Sequence, residues 1–149
     1  MEFKIPKIAI NTLTEKELTI YKELDKTPYG EELAQEVINK LISNPGEDNA
    51  LYFFHRDYCG LGIFYVDKEF LLADVYDGWG INKTIALSSS QTDFVDWLSQ
   101  ENDQSMSLYG NQFNNQTITR IRLEWYLEDD FSHTNSAFCL YLEKRKGRN

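Results

Sequence analysis

The sequence predicts an α+β fold: an antiparallel meander sheet of four strands, or slightly more, with helices packed mainly on one face. Three observations carry this. Residues 51–87 break into short aromatic and aliphatic runs separated by turn residues. The connections between those runs are too short for a parallel crossover. The flanking segments repeat apolar residues at spacings of three and four, the helical period. At 149 residues the chain fits one domain, 1–149. That length buries roughly two thirds of the unfolded surface, enough to need no metal or disulfide.

Taken in order, residues 3–10 are a short extended lead-in, limited by Pro6 to a sheet edge or a strand start. Thr14 and Glu17 form a capping box that opens a helix running to about Asp25. Thr27 and Pro28 read as the cap and first turn of a second helix. Its buried stripe is Leu33, Ala34, Val37, Ile38, Leu41 and Ile42, and Asn44-Pro45-Gly46 ends it. Strands are expected at Leu51–His55, Leu61–Val66, Glu69–Tyr76 and Lys83–Leu87, with Asp67-Lys68 as a tight turn. In the third of these, alternation puts Phe70, Leu72, Asp74 and Tyr76 on one face. Residues 93–100 form a helix with Phe94, Trp97 and Leu98 inward. Residues 102–116 are a polar connection anchored by Met106, Leu108, Tyr109 and Phe113. Residues 117–128 fit strand or helix; helix, capped by Thr117, is favoured because twelve residues is long for a strand. Residues 137–144 fit either.

Composition limits the function. The chain carries 24 acids against 15 bases, a net −9. Residues 1–143 hold all 24 acids and eleven of the bases, a balance of −13. Such a body repels phosphate, which argues against direct nucleic-acid binding and against an anionic membrane. It attracts a basic partner. Nine Phe, nine Tyr and three Trp are available, with Phe expected inside and Tyr more open to surface roles. Cys59 and Cys139 are expected to be free thiols in a reducing cytoplasm. No run reaches membrane-spanning length, and the first ten residues do not read as a cleavable signal.

No chemical motif stands out. His55 and Cys59 suggest a Cys–His pair, but residues in a strand and turn alternate faces, so a structural histidine is the better reading. Two His and two Cys match no zinc spacing. Gly60-Leu61-Gly62 and Gly78-Trp79-Gly80 read as turn glycines, since neither precedes a helix that could hold a phosphate. No catalytic residue, metal or cofactor is therefore expected. What remains are two acidic clusters with aromatics: Asp74, Tyr76, Asp77 and Trp79, and Glu124, Tyr126, Glu128, Asp129 and Asp130. Carboxylates for steering and rings for anchoring suit a surface that takes a basic protein.

The aromatic meander LYFFHRDYCGLGIFYVD, the strand-to-helix transition IALSSSQTDFVDWLSQ and the segment ITRIRLEWYLEDD resemble small bacterial immunity proteins of polymorphic and contact-dependent growth inhibition toxin systems. The transition is similar to that of the immunity superfamily related to yeast cell-wall regulators. The resemblance spans Tyr52 to Glu128 and brings no catalytic set with it. It implies a cytoplasmic protein that binds one toxin domain, commonly a basic nuclease, and blocks it. On that reading Asp74, Asp77, Glu128, Asp129 and Asp130 are the electrostatic partners, and Tyr76, Trp79 and Tyr126 the anchors. The alternatives are a small enzyme or ligand-binding domain with a pocket near His55 and Cys59, and a non-immunity adaptor of the regulator-like superfamily.

Overall fold

The architecture, seen in a computed structural model, is α+β, with a three-stranded antiparallel sheet and six α-helices among the described residues. Those residues are 9–46, 49–52, 59–76, 80–109, 118–128 and 131–147. The strands are β1 (Cys59–Val66), β2 (Glu69–Tyr76) and β3 (Gly80–Ser88), in the order β1-β2-β3. The helices are α1 (Glu15–Glu23), α2 (Glu31–Ser43), α3 (Gln91–Gln100), α4 (Asp103–Met106), α5 (Arg120–Tyr126) and α6 (Asn135–Lys146). A 3₁₀ turn, Ile10–Thr12, precedes α1.

The sheet follows from local chemistry. Asp67 and Lys68 both adopt positive φ, 53° and 67°, the two-residue turn whose twist matches a right-twisted hairpin. That turn fixes the register from Val66↔Glu69 to Cys59↔Tyr76. Between β2 and β3 the register shifts at Leu72/Ala73 and again at Asp74/Val75. These irregularities let pairing continue to Tyr76↔Gly80, so the last strand starts earlier than Lys83, where the sequence places it. The expected first strand, Leu51–His55, appears as a single antiparallel bridge between Leu51 and Ile63, and residues 53–58 lie outside the described set. Gly62 is not a turn glycine: it pairs with Ala73 inside β1.

One face of the sheet carries Leu61, Ile63 and Tyr65 of β1 with Phe70, Leu72 and Asp74 of β2. Phe70 stacks on Phe94 of α3 at 5.3 Å, and a run of rings continues through Trp97 to Tyr109. The opposite face buries Phe64 under Tyr52, at 5.3 Å, but leaves Leu87 54% exposed.

Helix α1 has the expected capping box between Thr14 and Glu17. α2 buries Ala34, Val37, Ile38 and Leu41, as its spacing requires. It begins later than the sequence suggests. Asp25 Oδ1 accepts from both the backbone and the hydroxyl of Thr27, which takes Thr27 out of a capping role. The amides of Tyr29 and Gly30 then donate to Glu101 and Ser99, at 2.9 and 3.0 Å, satisfying carbonyls at the end of α3. Gly30, at φ 90° and ψ 159°, becomes the N-cap. Ser90 caps α3 through the amide of Asp93. Residues 102–109 contain the one-turn α4, and Met106, Leu108 and Tyr109 are buried. The ambiguous 117–128 segment is helical, with Thr119 as its cap; Thr117 lies outside the described residues. The final segment is also helix.

Candidate functional site

One polar cluster ties the segment just before α2 to α4 and α5. Asp103 Oδ1 accepts from the Tyr29 hydroxyl at 2.9 Å and from the Arg120 amide at 2.8 Å. The Arg120 guanidinium lies over the Tyr29 ring and donates to the Pro28 carbonyl at 2.6 Å. Burial raises the Asp103 carboxyl above the ordinary range, opposed by these hydrogen bonds. The Tyr29 hydroxyl is pushed well up, by burial first and then by the Asp103 charge. Beside it, Trp97 Nε1 donates to the Tyr109 hydroxyl at 3.2 Å, which in turn donates to the buried Glu101 carboxylate. Burial and that carboxylate hold the Tyr109 hydroxyl in its neutral form. The Tyr29 and Tyr109 hydroxyls, the Trp97 indole and the Arg120 amide are each spent on an internal acceptor, so the chemistry here is that of a lock.

A second buried set joins α2 to the end of α5. Lys40 Nζ donates to the Tyr126 carbonyl and, at 3.3 Å, to that of Glu128, while standing 4.5 Å from the centre of the Tyr126 ring. A cation at a helix C-terminus satisfies carbonyls that have no intrahelical donor. The Tyr126 hydroxyl donates to Asn49 at 2.7 Å. Arg122, on the same helix, is only 4% exposed and lies over the Phe138 ring at 4.9 Å.

The sequence-predicted site residues are distributed unevenly by this arrangement. Tyr126 is corrected: its ring is 1% exposed, fastened by Lys40, Asn49 and Phe131, and is a core residue with no anchoring surface. Asp74 is half-buried on the helix-covered face, with Oδ1 out of solvent. Tyr76 ends β2, and its side chain is outside the described set. Asp77, Trp79, Asp129 and Asp130 also lie outside the described residues. Glu128 is half-buried. Glu124 pairs with Arg145 of α6 at 3.0 Å, so that charge holds two helices together. Leu61, opposite Asp74 in the register, lines the same small void as Arg122 and Trp125 of α5.

The tyrosines also depart from expectation. Tyr29, Tyr52, Tyr109, Tyr126 and Tyr141 are all at most 6% exposed. Four of them place the hydroxyl on a protein partner, the condition for burying a phenol at low cost: Tyr29, Tyr109 and Tyr126 donate, while Tyr141 accepts from Arg145.

An acidic feature that the sequence does not announce lies between α2 and α3. Glu31, Glu32 and Gln35 face Gln91, Thr92, Val95 and Asp96 across a groove of about 550 Å³. The three carboxylates are exposed. Their sequence signal was present only as acids in the first turn of α2 and on the polar side of α3. Bringing them together requires the antiparallel pairing of the two helices, fixed by the Tyr29 and Gly30 amides at the end of α3. Chemically the groove accepts hydrogen bonds from cationic side chains.

His55 and Asp57 lie outside the described residues. The space lined by Leu51, Tyr52 and Leu61 measures about 10 Å³, room for about one water molecule. His133 is accounted for structurally: it stacks on Tyr52 at 4.2 Å, and its Nε2 lies 2.9 Å from the Ala50 carbonyl and donates to it. Cys139 is a free, exposed thiol. Among the described residues no group of three or more His, Cys, Asp or Glu is arranged to hold a metal ion, and no helix is long and apolar enough to cross a membrane. Comparison with protein-family models, with curated proteins and with solved structures finds no match.

Proposed function

We propose that this chain is an inhibitor of the immunity type: a cytoplasmic protein that binds one basic toxin domain, a nuclease, and blocks it. The observation that carries the reading is charge: a net −9 overall, −13 over residues 1–143, with an exposed carboxylate groove between α2 and α3. Such a field raises the encounter rate with a cationic partner and repels nucleic acid. The partner-facing carboxylates are Asp77, Glu128, Asp129 and Asp130, joined by Glu31, Glu32 and Asp96 of the groove; Asp74, half-buried on the helix-covered face, is not among them. Tyr76 and Trp79 supply the anchoring rings. The internal polar clusters support the same reading, because their donors and acceptors bond to one another and keep a binding surface rigid at low entropic cost on association.

The test is co-expression with the product of the adjacent upstream reading frame, followed by co-purification and a protection assay. Two charge-reversal variants divide the surface: Glu31→Lys, Glu32→Lys and Asp96→Lys together, and Asp77→Lys, Asp129→Lys and Asp130→Lys together. The expected result is an association rate at least roughly tenfold slower for one set, with a weaker salt dependence. Unchanged binding and protection in both sets would remove the proposal.

A further inference from the structure

We propose that α1 is a detachable arm: the helix and the strap behind it, residues 15–27, undock from the body as one unit while the rest of the fold stays closed. The helix is lightly held. None of its residues is buried, and its apolar side chains Leu18 and Tyr21 are only half-buried. Ile20 is 37% exposed, and Ile10, in the turn before the helix, is 47% exposed. The next helix, α2, buries Ala34, Val37, Ile38 and Leu41. Stabilisation by burial scales with the apolar area removed from water, so α1 gains far less from docking than α2 does.

Its polar links are equally few. Among the described residues, the hydrogen bonds that join residues 9–27 to the rest of the chain both come from Gln104 of α4. Gln104 Nε2 donates to the Tyr21 carbonyl at 3.2 Å, and the Gln104 amide donates to the Asp25 carbonyl at 3.1 Å. Carbonyls in the last turn of a helix lack intrahelical donors, so Gln104 is a C-terminal cap supplied by another helix. The start of α1 needs nothing from the body, because Thr14 and Glu17 close it between themselves. The residue next to Gln104 marks where the opening stops. Asp103 holds the hydroxyl of the buried Tyr29, and Arg120 lies over that ring and bonds to the Pro28 carbonyl. The amides of Tyr29 and Gly30 are fastened to the end of α3. One turn of α4 thus carries a firm grip at Asp103 and a light one at Gln104. The nine residues of α1 are also fewer than the roughly 12–15 that an isolated helix needs in water. Release and unwinding of α1 are therefore one event, and α2 with its groove stays formed throughout.

Amide hydrogen exchange of the intact chain, read residue by residue by NMR, tests this. The amides of α1 are expected to exchange at least roughly a hundredfold faster than those of α2, after correction for intrinsic rates. Low urea should speed α2 more steeply than α1, because release of the arm exposes less surface than global unfolding. The Tyr29 and Gly30 amides should exchange with α2. Gln104→Ala removes the side-chain donor and should speed α1 a further fivefold or so, with α2 unchanged. Gln104→Glu, which keeps the shape and replaces the donor by an acceptor, should do at least as much. Gln100→Ala, at the exposed end of α3, should alter neither helix. Exchange of α1 at the rate of α2 in the intact chain would overturn the proposal. So would Gln104 variants that leave α1 unchanged or speed both helices equally, or a Tyr29 amide that exchanges with α1.

Discussion

Replacing Gly62 by alanine probes a position where the sheet leaves no room for a side chain. Gly62 sits in the middle of β1, opposite Ala73. A Cβ added there meets Cε1 of Phe64 and Cβ of Tyr52, both at 2.8 Å, and Cγ2 of Val75 at 3.1 Å. Carbon atoms settle at about 3.5–4.0 Å, so three contacts are short at once. None of the neighbours yields easily. Phe64 is fully buried and Val75 is 2% exposed. Tyr52 is held between the Phe64 ring at 5.3 Å and the His133 ring at 4.2 Å. Overpacking of this kind costs about 1–3 kcal/mol. For a chain of this size that lowers Tm by roughly 2–12 °C. Urea titration and thermal melts measure the loss directly, with an unchanged m value showing that the unfolded state is the same. Two comparisons isolate the cause. Gly30→Ala adds a Cβ with nothing within 4 Å, so its loss reflects only the φ of 90°. Combining Gly62→Ala with Val75→Ala should cost less than the two singles summed, because the second removes one of the clashing atoms. Gly62→Ala within about 0.5 kcal/mol of the parent, or strict additivity with Val75→Ala, would refute the reasoning.

Two further outcomes follow from the buried polar cluster. The Asp103 carboxyl is raised by burial above its ordinary 3.8, so its contribution is fully present below that pH and is lost as pH rises through the folded value. Asp103→Asn retains an oxygen for Tyr29 and for the Arg120 amide but does not titrate; the stability of the parent relative to this variant should therefore decline from pH 3.8 upward, measured by urea midpoints across an acid series. A flat difference would show that the carboxyl is not desolvated. Tyr109→Phe removes the hydroxyl that links Trp97 to the buried Glu101, and should cost about 1–3 kcal/mol in chemical denaturation. A loss smaller than about 0.5 kcal/mol would mean that Glu101 finds water in its place.

Much of the local structure was legible in the chain, because it is encoded locally. The capping box at Thr14 and Glu17, the buried stripe of α2 and the Asp67-Lys68 turn each involve residues within a few positions of one another. Backbone sterics and hydrogen-bond geometry at that range leave little for distant contacts to change. Where several short segments compete for the same backbone groups, the tertiary structure decided. Thr27 looks like a helix cap, yet Asp25 takes its donors and α3 takes the amides that follow.

The same division holds for the candidate site. Net charge is additive and is read from composition, so an acidic surface was visible without coordinates. Which carboxylates and rings face outward is not additive. Tyr126 reads as an anchor beside acids, but Lys40, 86 residues away, and Asn49, 77 residues away, fix it in the core. Glu31, Glu32 and Asp96 are ordinary helix-surface acids until the antiparallel packing of α2 on α3 sets them around one groove. Sequence by itself determined α1, the buried stripe of α2, α3, the hairpin and the sign of the field. Burial, which depends on what arrives from far along the chain, determined which residues that field belongs to.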